Sequence, residues 1–357
     1  MKIGIIGLPQ VGKKTLYEIL AHHKPSENEL ASHKPIKGTA DIKDPRFNRL
    51  AEIYKPKKEV RARIDIELLP KLAKDTISKG EIFADINSLD AICHVVRAFK
   101  DDSIYHADGS VDPKRDIDFV NAELILHDLI FIEKRMERLE KTIKQTKEEA
   151  ATKEKEILAK LKVHLDKTLP LRCLALTDGE KKFISSYPFV TRKELFIVLN
   201  VSEDGLKDSK TLKALEGELA PLGIGVMQVS AKVEDEISAF ETEKERQDFL
   251  AALGIVEPAI NILTRHLIKM LDLISFFTVG SDEVRQWLIR RGSLAHQAAG
   301  AIHSDLERGF IRAEVIKYND LMSFGTEEKV KGSGKFYLKG KEYIVEDGDI
   351  LTIRFNV

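Results

Sequence analysis

Cysteine is almost absent. Only Cys93 and Cys173 occur in 357 residues, far apart and each inside an apolar run. That excludes a disulfide scaffold and a cysteine-rich zinc site, and suits a reducing compartment. Long apolar runs are missing too: nothing approaches the roughly 18–20 residues that span a bilayer. The N-terminal MKIGIIGLPQVGKKT passes from a short apolar stretch into glycines and lysines without a cleavage site. A soluble, cytoplasmic protein without a membrane partner is expected. Charge of one sign is lacking as well, since 57 Lys+Arg against 58 Asp+Glu leave a net −1. Any nucleic-acid surface must therefore be local, and no DNA specificity is expected. A hydrophobic fraction of 43% supports real cores, and at roughly 100–200 residues per domain the length predicts two or three domains.

Glycine and proline are absent from residues 120–169, where Ile125, Leu129, Ile132, Met136, Leu139 and Ile143 recur at heptad spacing. Leu158, Leu161, Leu165 and Leu169 form a second stripe. Two antiparallel helices joined near 146–153 account for both. Residues 121–170 hold 11 basic and 10 acidic side chains, a solvated helical surface rather than a nucleic-acid stripe. Around this insertion lies α/β texture. Residues 1–6, 90–99, 195–199 and 225–230 read as buried parallel strands, and 60–68 alternates as a strand with one wet face. Residues 22–48 read as irregular. Short strand patterns at 311–315, 335–338, 342–345 and 350–355 predict a separate small β domain, which holds the single tryptophan, Trp287.

Gly7-Leu8-Pro9-Gln10-Val11-Gly12-Lys13 follows a strand and precedes a helix, the context that gives G-x-x-x-x-G-K its meaning. The glycines let backbone N–H groups turn around a phosphate, the helix N-terminus adds its dipole, and Lys13 reaches the β- and γ-phosphates. The next position should carry a hydroxyl for Mg²⁺; here it is Lys14, whose ammonium has no lone pair. Thr15 follows, turned by about 100° along the helix. A dinucleotide fingerprint fails because Pro9 stands in place of its second glycine. Asn200-Val201-Ser202-Glu203 ends a strand where a base-reading loop belongs, with Asn200 holding the loops together and Glu203 accepting from a base. Ser230-Ala231-Lys232 follows a strand as a second base-side loop. The binding residues expected are Gly7, Gln10, Val11, Gly12, Lys13, Lys14, Thr15, Asn200, Glu203, Ser230, Ala231 and Lys232.

The sequence resembles the YchF / Obg-like ATPase family over essentially its whole length. The resemblance is carried by residues 276–316 (FFTVGSDEVRQWLIRRGSLAHQAAGAIHSDLERGFIRAEVI), 341–357 (KEYIVEDGDILTIRFNV), 44–58 (DPRFNRLAEIYKPKK) and DAICHVVRAF. It implies a P-loop GTPase-like mostly parallel sheet, an inserted helical coiled-coil hairpin and a C-terminal β-grasp (TGS) domain. It also implies ATP preferred over GTP, and the ribosome or structured RNA as partner. A catalytic role for a histidine matching His106 is implied too, although a polar loop residue in SIYHADG is an equal reading. The expected divisions are 1–120 and 190–275 for the nucleotide-binding domain, 121–189 for the hairpin and 276–357 for the TGS domain. A monomer is expected.

Departures from the family pattern fall on the metal side. The family loop reads G-L-P-N-V-G-K-S-T, against Gln10 and Lys14 here. Its D-I-A-G-L motif is missing: one register aligns Asp65 with the aspartate and Leu68 with the glycine, the other Leu68 with the aspartate and Lys71 with the glycine. Ser32 falls near the family's switch threonine, so Thr15 and Ser32 are the remaining metal candidates. Lys14 could stand in for the metal, repel within the empty loop, or pair with Asp65 or Glu67. Three functions follow: a nucleotide binder with weak or absent hydrolysis, an ATPase or GTPase with a rebuilt metal site, or an interaction platform without nucleotide. Residues 41–74, ten basic against six acidic, are a candidate RNA-facing patch.

Overall fold

Buried aliphatic runs such as Ile3, Ile5 and Ile6, or Ile92, Cys93, Val95 and Val96, are covered on both faces. That burial selects parallel strands inside a helix-flanked sheet. The computed structural model describes residues 1–72, 80–106, 109–146 and 149–356. Their twelve strands are β1 (Lys2–Ile6), β2 (Ile36–Asp41), β3 (Lys58–Val60), β4 (Arg63–Leu68), β5 (Ala91–Arg97), β6 (Glu194–Asn200), β7 (Gly225–Val229), β8 (Leu273–Thr278), β9 (Glu283–Arg290), β10 (Phe310–Lys317), β11 (Phe336–Lys339) and β12 (Asp349–Phe355). One sheet runs β2-β4-β1-β5-β6-β7 and the other β11-β10-β12-β8-β9-β3. The chain divides into two compact units, Met1–Thr39 with Asp65–Ile260, and Ala40–Ile64 with Asn261–Val357.

In the first unit β1 lies between β4 and β5, and β5, β6 and β7 follow, all parallel. The helical insertion leaves from the β5 side and begins at Pro113 rather than 121. Helices Pro113–Thr146 and Glu149–Leu165 carry ion pairs Glu133–Lys162 and Glu140–Lys155, so they run antiparallel. Residues 147 and 148 of the expected junction lie outside the described residues. Every member of the heptad seam joins one apolar cluster with Leu158, Leu161 and Leu165. That cluster carries the hairpin's stability, since exposed ion pairs add little. Asp128, fully buried on the long helix, fixes the base of the hairpin by accepting from Val190 N (3.0 Å), Thr191 N (2.9 Å) and Thr191 Oγ1 (2.6 Å).

The second unit corrects three expectations. Residues 60–68 are not one strand: β3 pairs parallel with β9 in one sheet, whereas β4 pairs with β1 in the other. Residues 40–64 belong to this unit rather than to the nucleotide-binding domain. The reason is packing. Asp44 caps helix Pro45–Tyr54 by accepting from Arg46 N, and the helix buries Phe47 and Leu50 against Phe277, Val284, Ile316 and Ile350. Arg46 then bridges Asp44 (2.7 Å) and Asp347 (3.0 Å). β8 and β9 form an antiparallel pair and β12 joins β8 in parallel, the mixed pairing expected of a β-grasp. The pattern at 342–345 is no strand; it supplies one bridge, Ile344 to Leu294. Residues 22–48, read as irregular, hold helix Glu27–Ala31 and β2.

Glu234, on helix Ala231–Ala239, is buried and accepts from Ala259 N at 2.6 Å. Burial pushes its carboxyl up to about 7, against the opposing hydrogen bonds from Ala259 and Ile260. The folded chain therefore holds a proton that the unfolded chain has released above pH 4.5. The resulting stabilisation is complete below pH 4.5 and lost as pH rises through about 7. Glu234→Gln cannot ionise. Its stability relative to the parent is expected to rise by about 2 kcal/mol between pH 5 and pH 8, read by urea denaturation at both values. A pH-independent difference would remove the assignment.

Candidate nucleotide site

The loops after β1, β5, β6 and β7 meet at the carboxyl edge of the parallel sheet, where ligands of open α/β folds bind. They enclose a cavity of about 950 Å³ lined by residues 9–15, Lys71, residues 99–101, 103 and 104, residues 200–204, Ala231, Lys232 and Asp235. Of the expected binding residues, Gln10, Val11, Gly12, Lys13, Lys14, Thr15, Asn200, Glu203, Ala231 and Lys232 all line it. Gly7 and Ser230 are buried beneath. A Cβ at Gly7 would come 2.6 Å from Val95 O, and Ser230 caps its helix by accepting from Val233 N.

Asn200 braces the cavity. Its Nδ2 donates to Val11 O (2.9 Å) and its Oδ1 accepts from Ala231 N (3.0 Å), so one side chain, 5% exposed, joins the phosphate loop to the loop after β7. This is the role expected from its place at the strand end. Gly12, at φ 91°, caps helix Lys13–Ala21. A Cβ there would stand 2.1 Å from Asn200 Nδ2, so the brace itself requires glycine.

Lys13 is only 8% exposed, and its Nζ donates to Leu69 O (3.0 Å) and Pro70 O (2.7 Å). Burial first, and the neighbouring Lys71 second, pull it down to about 7. These contacts settle which segment faces the phosphate loop. Ile5 pairs with Leu68, and Leu72 N donates to Gly7 O at 3.3 Å. Residues 69–71 thus stand beside the loop, and no carboxylate is among them. Asp65 is opposite Lys2 at the far end of β4, 3.8 Å from the Met1 amino group, and Glu67 pairs with Lys2. Lys14 pairs with neither; its partner is Glu18, one turn on at 3.6 Å.

The other two candidates lie elsewhere. Ser32 ends helix Glu27–Ala31, its Oγ donating to Glu29 O and accepting from Lys34 N. His106 Nε2 is 3.2 Å from Asp116 Oδ2 on the long helix. Neither residue lines the cavity. Magnesium needs oxygen donors in near-octahedral array, and among the described residues the phosphate loop and the segment beside it bring one hydroxyl to the cavity, Thr15, along with Lys14 and Lys71. The Asp101 carboxylate is engaged by Ser103 N (2.9 Å) and Ser103 Oγ (2.6 Å), which holds it below its ordinary range. The described residues do not fit a magnesium ion.

One residue the sequence reading missed shapes the opposite wall. Arg97, the last residue of β5 and 2% exposed, donates to Phe99 O (3.1 Å), Asp101 O (3.0 Å) and Ile104 O (3.1 Å) and lies 4.6 Å over the Phe99 ring. It gathers the loop after β5 into a wall bearing Phe99, Lys100, Asp101, Ser103 and Ile104. An arginine closing an apolar strand was the available signal.

Comparison with known proteins agrees with this architecture. The family described as YchF-GTPase_C, "Protein of unknown function (DUF933)", matches residues 273–356. The Ribosome-binding ATPase YchF of Bacillus subtilis is 40% identical over 99% of this chain and 99% of its own. The chain belongs to the YchF family. The Ribosome-binding ATPase YchF of Escherichia coli O157:H7 is 38% identical over 100% of this chain and 99% of its own. The structure of the Schizosaccharomyces pombe YchF GTPase superposes with a TM-score of 0.83 at 31% identity, covering 99% of this chain and 97% of that one. No helix among the described residues is long and apolar enough to cross a membrane.

Proposed function

We propose that this YchF-family chain binds a purine nucleoside triphosphate, ATP before GTP, and acts as a monomeric, cytoplasmic ribosome- or RNA-associated factor with weak or absent hydrolysis. The observation that carries the reading is the Asn200 brace. It holds the phosphate loop and both base-side loops around one cavity, with the N-terminus of helix Lys13–Ala21 and Lys13 at its floor. Glu203 on the cavity rim supplies the acceptor for an adenine amino group. His106, tied to Asp116, is assigned to support of its loop. Ribosome association follows from the relatives, which are ribosome-binding ATPases by name.

In this reading the basic stretch of the second unit faces RNA. Arg61 and Arg63 line a groove of about 760 Å³ with Arg285 and Trp287, Arg285 lying 4.6 Å over the indole. Stacked arginine and tryptophan suit a splayed base. Lys57 and Lys58, also in the basic stretch, are ion-paired to Asp282 and Glu283.

Titration with fluorescent ATP and GTP, in the presence and absence of Mg²⁺, tests the nucleotide reading. Saturable binding is expected, weakened roughly tenfold, about 1.4 kcal/mol, in Lys13→Ala. Absence of saturation up to millimolar nucleotide under every condition would reject it.

A further inference from the structure

We infer that the cavity takes its nucleoside triphosphate free of divalent metal, with the ammonium groups of Lys14 and Lys71 neutralising phosphate charge that magnesium carries in other phosphate-loop sites. The inference rests on the nucleotide reading and deepens it.

Position is the first support. Lys14 occupies the first turn of the helix at the place of the metal-binding hydroxyl, and Lys71 belongs to the segment pinned beside the loop by Leu72 N to Gly7 O. Both line the cavity. Reach is the second. Lys14 is 46% exposed, and its contact with Glu18 is a loose surface pair at 3.6 Å, readily exchanged for a phosphate. Lys71 lines the same cavity as Lys13, and its charge is, after burial, the second cause of the lowered Lys13 protonation. A polyanion placed there relieves their mutual repulsion, and a divalent cation placed there adds to it.

The distribution of acidic groups points the same way. Among the described lining residues, Glu203 and Asp204 follow β6, Asp235 lies on helix Ala231–Ala239, and Asp101 is turned onto Ser103. On the phosphate side the described lining residues are Lys13, Lys14 and Lys71, with no carboxylate among them. Free triphosphate bears more negative charge than its magnesium complex and matches that side better. Magnesium should accordingly act as a competitor, by withdrawing the metal-free ligand from solution.

The test is isothermal titration of the full chain with a non-hydrolysable ATP analogue, first in EDTA and then in millimolar MgCl₂. Lys14→Ser, Lys71→Gly and the double variant are titrated alongside, each verified as folded by its thermal melt. Lys14 is exposed, so its serine variant serves even if the Lys71 variant melts early. Binding in EDTA is expected, weakened roughly tenfold by magnesium. Each single variant is expected to lose roughly tenfold in EDTA, and Lys14→Ser, which restores the hydroxyl, to lose the magnesium penalty. Wild-type binding that requires magnesium, or variants that bind in EDTA as tightly as the parent, would overturn the inference and leave the nucleotide reading standing. No binding in either condition would overturn both.

Discussion

Replacing Arg97 by methionine is expected to destabilise the nucleotide-binding unit by about 3–5 kcal/mol, since several hydrogen bonds from a charged donor, about 1.5–3 kcal/mol each, are lost and only partly offset by the relief of burying the charge. The guanidinium is almost wholly buried and donates to the backbone carbonyls of Phe99, Asp101 and Ile104, with that of Tyr105 at 3.5 Å. Methionine fills a similar length with no donor, so each carbonyl must find water or stay unpaired at about 1–3 kcal/mol apiece. Because those carbonyls belong to one loop, the loss falls on the cavity wall as well as on stability. Hydrogen exchange of the β5 and β6 amides reads the stability change in the unit that carries Arg97. Nucleotide titration reads the wall. Arg97→Lys keeps the charge but cannot fork to three carbonyls and is expected to fall between parent and methionine. A methionine variant within about 1 kcal/mol of the parent would show that the loop is held by its other contacts.

Arg97 also illustrates what a sequence conceals. The phosphate loop and the heptad seam were legible because each is a local pattern: glycines and a lysine at fixed spacing between a strand and a helix, or apolar residues recurring every three and four positions. Asn200 was legible for a related reason, since it closes a buried strand at the edge where such folds bind ligands. Arg97 closes a strand too, but its partners are backbone carbonyls, which no residue type announces. Residues 40–64 failed differently. Their neighbours in sequence belong to the phosphate-loop unit, whereas Phe47 and Leu50 find their apolar partners more than two hundred residues later, in Phe277, Val284 and Ile316. The alternation through 60–68 looked continuous because period-two patterning does not record a change of sheet. The D-I-A-G-L replacement stayed ambiguous until strand register, Ile5 with Leu68, put residues 69–71 beside the loop. For His106 the local sequence offered only a polar loop, and the partner that fixes it, Asp116, enters from the helix ten residues on.

The Asn200 brace yields the sharpest separation between geometry and charge. Asn200→Asp keeps the shape and the acceptor for Ala231 N, yet it exchanges the Nδ2 donor for an oxygen held 2.9 Å from Val11 O. A buried carboxylate against a carbonyl must either stay protonated, with its raised carboxyl donating to Val11, or break the contact. The expected cost at pH 8 is about 2–4 kcal/mol with a loss of roughly a hundredfold in nucleotide affinity. Part of both should return toward pH 5, where the protonated side chain can donate again. Asn200→Ala removes donor and acceptor together and gives no such recovery. Gly12→Ala attacks the same contact from the other side, since its Cβ would occupy the space of Nδ2 at a positive φ. If the brace carries the site, Asp and Ala at 200 diverge with pH while Ala at 12 stays impaired throughout. If Asn200→Asp binds as the parent does at pH 8, the phosphate loop is set by β1 and helix Lys13–Ala21 alone, and the coupling of phosphate side to base side must run through other residues.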